Sequence, residues 1–318
     1  MRLTIAAASA ACFTFVGLAS AADPAPPATP RATGEREQRF DKKTAGDAVR
    51  VSQIRGMTVR NSGGKDLGDI KDLMLDMGGH GRVRYAAMSF GGFLGMGDKL
   101  FAIPWRALKF QHDSEKNKDF VIFDATEESL KKTPGFDKDH WPDMADRTWM
   151  QDVDQHHGVD VKAGNTEVHV RTNNDRAAER RDVRTPADTA QNEHNWRLHR
   201  ASEAIGMKVK NAGGDKLGKV EDIVVATGSG DIRYLALSFG GFLGIGDKFF
   251  AVPWDAVMLQ HENKEHFVMF DVTKDQLENA PGFDKDHWPD FGNEKWAATN
   301  DQHFTAHRQR KGTTQPVK

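Results

Sequence analysis

The sequence predicts a mainly β protein: two small six-stranded β-barrels with short helices, joined by a polar linker. Three observations carry this reading. The chain repeats itself, because Gly56–Asp76 matches Gly206–Ala226 at 9 of 21 positions, Arg84–His112 matches Arg233–His261 at 20 of 29, and Phe120–Trp149 matches Phe267–Trp296 at 17 of 30, or 46 of 80 together. The offset falls from 150 to 149 to 147, and the deletions lie in Met77–Arg82 and Asp113–Lys116, as expected if both segments are surface turns. Each copy is also a series of short apolar runs of period two punctuated by glycine. Finally, each copy is about a hundred residues long, which suits a self-sufficient domain and not a solenoid unit. With 38% hydrophobic residues among 318 there is material for real cores, while 28% charged residues and 30 glycines require hydrophilic stretches between them.

Taken in order, Met57–Arg60 reads as a first strand and Asn61-Ser62-Gly63-Gly64 as a turn of residues that tolerate positive φ. Leu67–Leu75 and Val83–Phe90 are strands separated by Gly78-Gly79-His80-Gly81, and Leu100–Ile103 is a fourth, stopped by Pro104. Lys109–His112 and Phe120–Phe123 form a hairpin. Thr126–Lys132 is a short helix capped by Thr126 and ended by Pro134-Gly135. The second copy repeats every element. Six short strands are expected to close into a barrel, because an open sheet of this size leaves edges. Copies that share core and surface patterns are expected to superpose, and they can pair about a pseudo-twofold axis as homodimer subunits do.

The flanking segments set the expected compartment. Met1-Arg2, the apolar run Leu3–Leu18 and the small residues Ala19-Ser20-Ala21 read as a signal peptide over residues 1–21, cleaved after Ala21 or Ala22. The run is too short and too rich in Ala to serve as a membrane span, so the chain is expected to be exported to the periplasm and not membrane-spanning after cleavage. Cys12, the single cysteine, leaves with that peptide, which excludes disulfides, thiolate metal sites and cysteine nucleophiles. Residues 22–50 read as a disordered Pro/Ala-rich tether and 51–156 as the first repeat. Residues 157–200 form the polar linker, with a small hairpin around Ala163-Gly164-Asn165; 201–303 are the second repeat and 304–318 a disordered tail. Forty-four Lys and Arg against 46 Asp and Glu leave a net charge of -2, so no basic field points to nucleic acid.

Gly56-Met57-x-Val59-x-Asn61-x-Gly63-Gly64, then Leu67-Gly68-x-Ile70-x-Asp72, then Ile103-Pro104-Trp105 resembles the PRC-barrel family, named for the cytoplasmic domain of the photosynthetic reaction centre H subunit. The pattern recurs over Gly206–Asp222 and at Val252-Pro253-Trp254. The resemblance implies a six-stranded barrel used as a docking module, as in the ribosome maturation factor that carries one. Those relatives work in the cytosol or on its membrane face, so an exported chain does not inherit their partners.

Two repeated segments are candidates for function. Gly91–Lys99 and Gly240–Lys248 differ at one position, and each carries a Phe-Leu pair, Phe93-Leu94 and Phe242-Leu243. A phosphate cradle wants a following helix, whereas here a strand follows, so the readings are a plain barrel connection or an apolar contact for a partner. Pro134–Asp143 recurs unchanged as Pro281–Asp290. Its Asp137, Asp139 and His140, with Asp284, Asp286 and His287, could supply oxygen and nitrogen ligands to a divalent cation. The plainer reading is an extension that laces Phe and Trp onto the barrel. Trp141 and Trp288 are alternatively stacking platforms for a partner. No Gly-x-Ser-x-Gly or His-Glu-x-x-His is present, and Ser89/Ser238 with His112/His261 would be the only nucleophile and base to imagine. The expectation is therefore a non-enzymatic, cofactor-free binding or scaffolding protein acting on an unknown protein partner in the cell envelope. The alternative is a periplasmic metal-binding or stress-response protein using the Asp-x-Asp-His segments.

Overall fold

A computed structural model describes residues 48–90, 99–143, 146–157, 197–239, 248–273, 276–277 and 280–305. The first copy contributes β1 (Ala48–Arg50), β2 (Thr58–Arg60), β3 (Asp66–Asp76), β4 (Arg82–Phe90), β5 (Lys99–Pro104), β6 (Leu108–Asp113), β7 (Lys118–Phe123) and β8 (Phe136–Asp137). The second contributes β9 (Leu198–Arg200), β10 (Lys208–Lys210), β11 (Lys216–Ala226), β12 (Ile232–Ser238), β13 (Lys248–Pro253), β14 (Met258–Glu262), β15 (Glu265–Met269) and β16 (Phe283–Asp284). Two eight-stranded sheets result, with matching orders β6-β7-β2-β3-β4-β5-β8 and β14-β15-β10-β11-β12-β13-β16. Within each path only β2 with β7, and β10 with β15, run parallel. Thr126 caps the helix Glu127–Lys132 through its side chain, as its position before the helix predicts.

Gly68 and Gly218 stand where strands approach too closely for a side chain, since a Cβ would lie 1.8 Å from the carbonyl oxygen of Ser89 or Ser238.

Among the described residues the sheets do not close into the expected six-stranded barrels: β6 and β8 end one ladder, and β14 and β16 end the other. Helices that follow each sheet stand in for closure. On β5 the Ala102 carbonyl accepts a hydrogen bond from His157 Nε2 at 3.1 Å, just past the helix Arg147–His156. On β13 the Ala251 carbonyl accepts from Asn300 Nδ2 at 2.8 Å, within the helix Glu294–Phe304. Side-chain donors thus reach carbonyls of the strands next to each ladder's end, and cover replaces closure in managing the edge.

The number of strands also exceeds six, for a reason that changes the domain picture. β1 leads the first copy, yet it pairs antiparallel with β11 of the second, with Ala48 opposite Ala226. β9 leads the second copy and pairs with β3 of the first, with Leu75 opposite His199. The two copies therefore exchange their leading strands. The tether and linker ranges read from the sequence, 22–50 and 157–200, each end in three residues of this kind. An eleven-residue β3 makes the exchange feasible: Asp66–Asp69 pairs with β2, and Met74–Asp76 is left over for β9.

Burial follows the exchange. One continuous apolar cluster contains Val59, Leu73 and Ile103 of the first copy together with Val209, Ile223 and Val252 of the second. Val51, Ile54, Ala201 and Ala204, on the short turns of helix after β1 and β9, are all fully buried in it. Two satellite clusters cover the other faces of the sheets: Met74, Tyr85 and Ala102 under Phe136, Trp141 and Trp149, and Val224, Tyr234 and Ala251 with Phe291, under Phe283, Trp288 and Trp296.

Candidate functional site

The most organised polar chemistry among the described residues lies on the seam between the copies, and it occurs twice. A register shift between Ile70 and Asp72, and again between Val220 and Asp222, interrupts the alternation of β3 and β11. Such an irregularity re-aims the side chain that follows it. Both aspartates become buried in the middle of apolar strands, at 6% and 2% exposure, where a charge must find donors. Asp72 accepts from the Ser202 amide at 3.2 Å, the Ser202 hydroxyl at 2.5 Å and the Leu73 amide at 2.9 Å. Asp222 accepts from the Ser52 amide at 3.2 Å, the Ser52 hydroxyl at 2.5 Å and the Ile223 amide at 2.8 Å. In each case the serine belongs to the opposite copy. Burial pushes the Asp222 carboxyl up from the ordinary carboxylate range, against the Ser52 and Ile223 donors and Arg50.

Tryptophans repeat the reciprocity. Trp105 Nε1 donates to Thr227 O at 3.1 Å, and Trp254 Nε1 to Gly79 O at 3.2 Å. The Val83 amide donates to Gly230 O at 2.8 Å, and the Ile232 amide to Gly81 O at 3.0 Å. Gly81 and Gly230 have φ of +63° and +78°, and a Cβ there would meet the opposite copy's indole at 2.4 and 2.7 Å. The turn after β3, one of the two in which the repeat tolerates deletion, and its counterpart after β11 are thus seats for the other copy's Trp.

Trp141 and Trp288 sit half-buried at the rim of the same seam. Each indole N–H donates to a local carbonyl at 2.8 Å, of Lys138 and Lys285. Their rings pack on Phe136 and Phe283 at 4.9 and 5.0 Å. Arg200, on the exchanged β9, lies 5.2 Å over Trp141, and Arg50, on β1, lies 4.2 Å over Trp288. Each Trp is therefore covered by an arginine of the opposite copy.

The Asp-x-Asp-His residues are exposed and engaged locally. Asp137 accepts from the Asp139 amide at 2.9 Å, with His140 Nδ1 3.9 Å from its carboxylate. Asp284 accepts from the Asp286 amide at 2.9 Å and meets His287 Nδ1 at 2.7 Å, contacts that hold its carboxyl below the ordinary range. Among the described residues no three His, Cys, Asp or Glu side chains converge as metal ligands. Ser89 and His112 have separate partners, Asp69 O at 3.3 Å and Asp119 at 2.7 Å. Phe93, Leu94, Phe242 and Leu243 lie outside the described residues, as does the segment around Gly164. No helix among the described residues is long and apolar enough to cross a membrane.

Two matched β-sheet copies interlocked through a buried seam define a tandem β module. The chain belongs to the PRC-barrel domain family, whose model matches residues 46–130 and 197–277, just over half of the chain. Both matched segments include the exchanged strand. No curated protein matches the chain. The seam serines were missed in the sequence, but a signal existed: an Asp repeated at the same place inside an apolar run announces a buried charge in need of a partner.

Proposed function

We propose that this chain is an exported, non-enzymatic scaffold of the cell envelope that holds a protein partner through two equivalent docking loops. The observation that carries the reading is the nine-residue segment Gly91–Lys99, repeated as Gly240–Lys248 with a single change, bridging β4 to β5 in one sheet and β12 to β13 in the other. Because the copies are interlocked in one body, the two Phe-Leu pairs are carried on one frame. Two sites on one frame raise effective concentration and bind a repeated or dimeric partner far more tightly than either alone. The N-terminal pattern of charge, apolar run and small residues supports export.

The test is capture of partners from a periplasmic extract by the mature chain, comparing wild type with Phe93→Ser, Phe242→Ser and the double variant. Each single variant is expected to weaken capture and the double variant to abolish it, with stability changed by less than ~1 kcal/mol. Unfolding of the double variant, or undiminished capture, would overturn the assignment. Calorimetric titration with Zn²⁺ or Ca²⁺ separates the metal-binding alternative, because saturable heat lost on His140→Ala with His287→Ala would favour it.

A further inference from the structure

The two seams differ in their histidines. In the first copy the strand pair β6/β7 sets His112 opposite Asp119, with Nδ1 2.7 Å from the carboxylate, and the corresponding residue of β1 is Val49. In the second copy the corresponding positions are His261 opposite His266, and His199 on β9. The three imidazoles touch in series, His199 edge-on to His266 with ring centroids 4.7 Å apart and His266 tilted against His261 at 4.5 Å. His199 is buried, and an open cleft lined by His199, Glu203, Met207 and His266 lets water reach the cluster. We propose that this cluster makes the second copy's seam acid-labile: a proton taken up within the crowded imidazoles loosens β9 from β3, while the first copy's seam, with its His–Asp pair, holds.

The charges facing the cluster do not cancel the effect. Glu203, on the helical turn after β9, acts on His266 and is already ion-paired with Arg200. Glu265, beside His266, is paired with Lys208 and Lys210 of the flanking β10, and Glu262 lies opposite Glu265 at the exposed end of the hairpin. Burial first, and His261 second, hold the His266 imidazole below its ordinary range, against Glu203. For a base held low in the folded state, the opened form binds the proton more tightly. Stability is therefore complete above pH ~6.5 and is lost as pH falls below it.

The test is hydrogen exchange on the full mature chain in chelator-containing buffer, corrected for intrinsic rates, at pH 7.5 and 5.0. Protection of residues 198–205 is expected to drop about tenfold or more at pH 5.0, with residues 48–55 changed less. His266→Asp sets a carboxylate opposite His261, as in the first copy, and His199→Val removes the buried ring. Both are expected to flatten the pH response of 198–205. A wild-type response equal at the two seams, or one unchanged by His266→Asp in a folded variant, would overturn the proposal. If either variant fails to fold, the comparison of the two seams within the wild type decides alone.

Discussion

Replacing Asp72 by Ala strikes the seam at a point where the cost can be worked from contacts. The variant removes the acceptor for the Ser202 amide, the Ser202 hydroxyl and the Leu73 amide at a site only 6% exposed. Hydrogen bonds to a charged group contribute ~1.5–3 kcal/mol each, and a donor left dry costs ~1–3 kcal/mol. Water entering the space of the lost carboxylate recovers part of this, so the expected loss is ~3–5 kcal/mol. Ser202→Ala removes only the hydroxyl bond and should cost ~1–2 kcal/mol. Since the two variants break a shared bond, the double variant should fall short of additivity by ~1–2 kcal/mol. Urea denaturation followed by tryptophan fluorescence and far-ultraviolet circular dichroism measures all three. Additive losses, or an Asp72→Ala variant within ~1 kcal/mol of wild type, would refute the seam as a source of stability.

Trp141→Ala should cost ~2–3 kcal/mol by thermal unfolding, below the ~3–5 kcal/mol of a fully buried Trp, because the ring is only half-buried. An unchanged melting temperature with lost partner capture would make it a recognition residue. His157, pushed down to about 4 by burial and by His156, should make stability fall as pH drops from ~6.5 to about 4. His157→Gln, which keeps a donor for Ala102 O, should remove ~1–2 kcal/mol of that fall, the ring's partial exposure being allowed for. A pH–stability curve identical to wild type would contradict this.

The interior of each copy was legible from alternation. The strand runs read at Leu67–Leu75, Val83–Phe90 and Phe120–Phe123 fall within β3, β4 and β7, and Pro104 ends β5. The exchange was not legible, because β1 and β9 are three residues each and nothing local states which copy's long strand they join. An indirect sign was present in Leu73-Met74-Leu75 and Ile223-Val224-Val225. These runs do not alternate, and a run of that kind marks burial on both faces of a sheet. Closure is not seen because the helices Arg147–His156 and Glu294–Phe304, absent from the sequence reading, lie against the sheets beside their edges. The tryptophans at 141 and 288 were seen as lacing residues or platforms, but the arginines that cover them come from the opposite copy, a relation that chain order hides.

The exchanged strands lock the two copies into one cooperative unit, and scanning calorimetry of the wild-type chain from residue 22 onward tests this most directly. One transition is expected, carrying the heat of both copies, with equal calorimetric and van't Hoff enthalpies. Two resolved transitions, or a calorimetric enthalpy about twice the van't Hoff value, would mean that the copies unfold independently and would contradict the account.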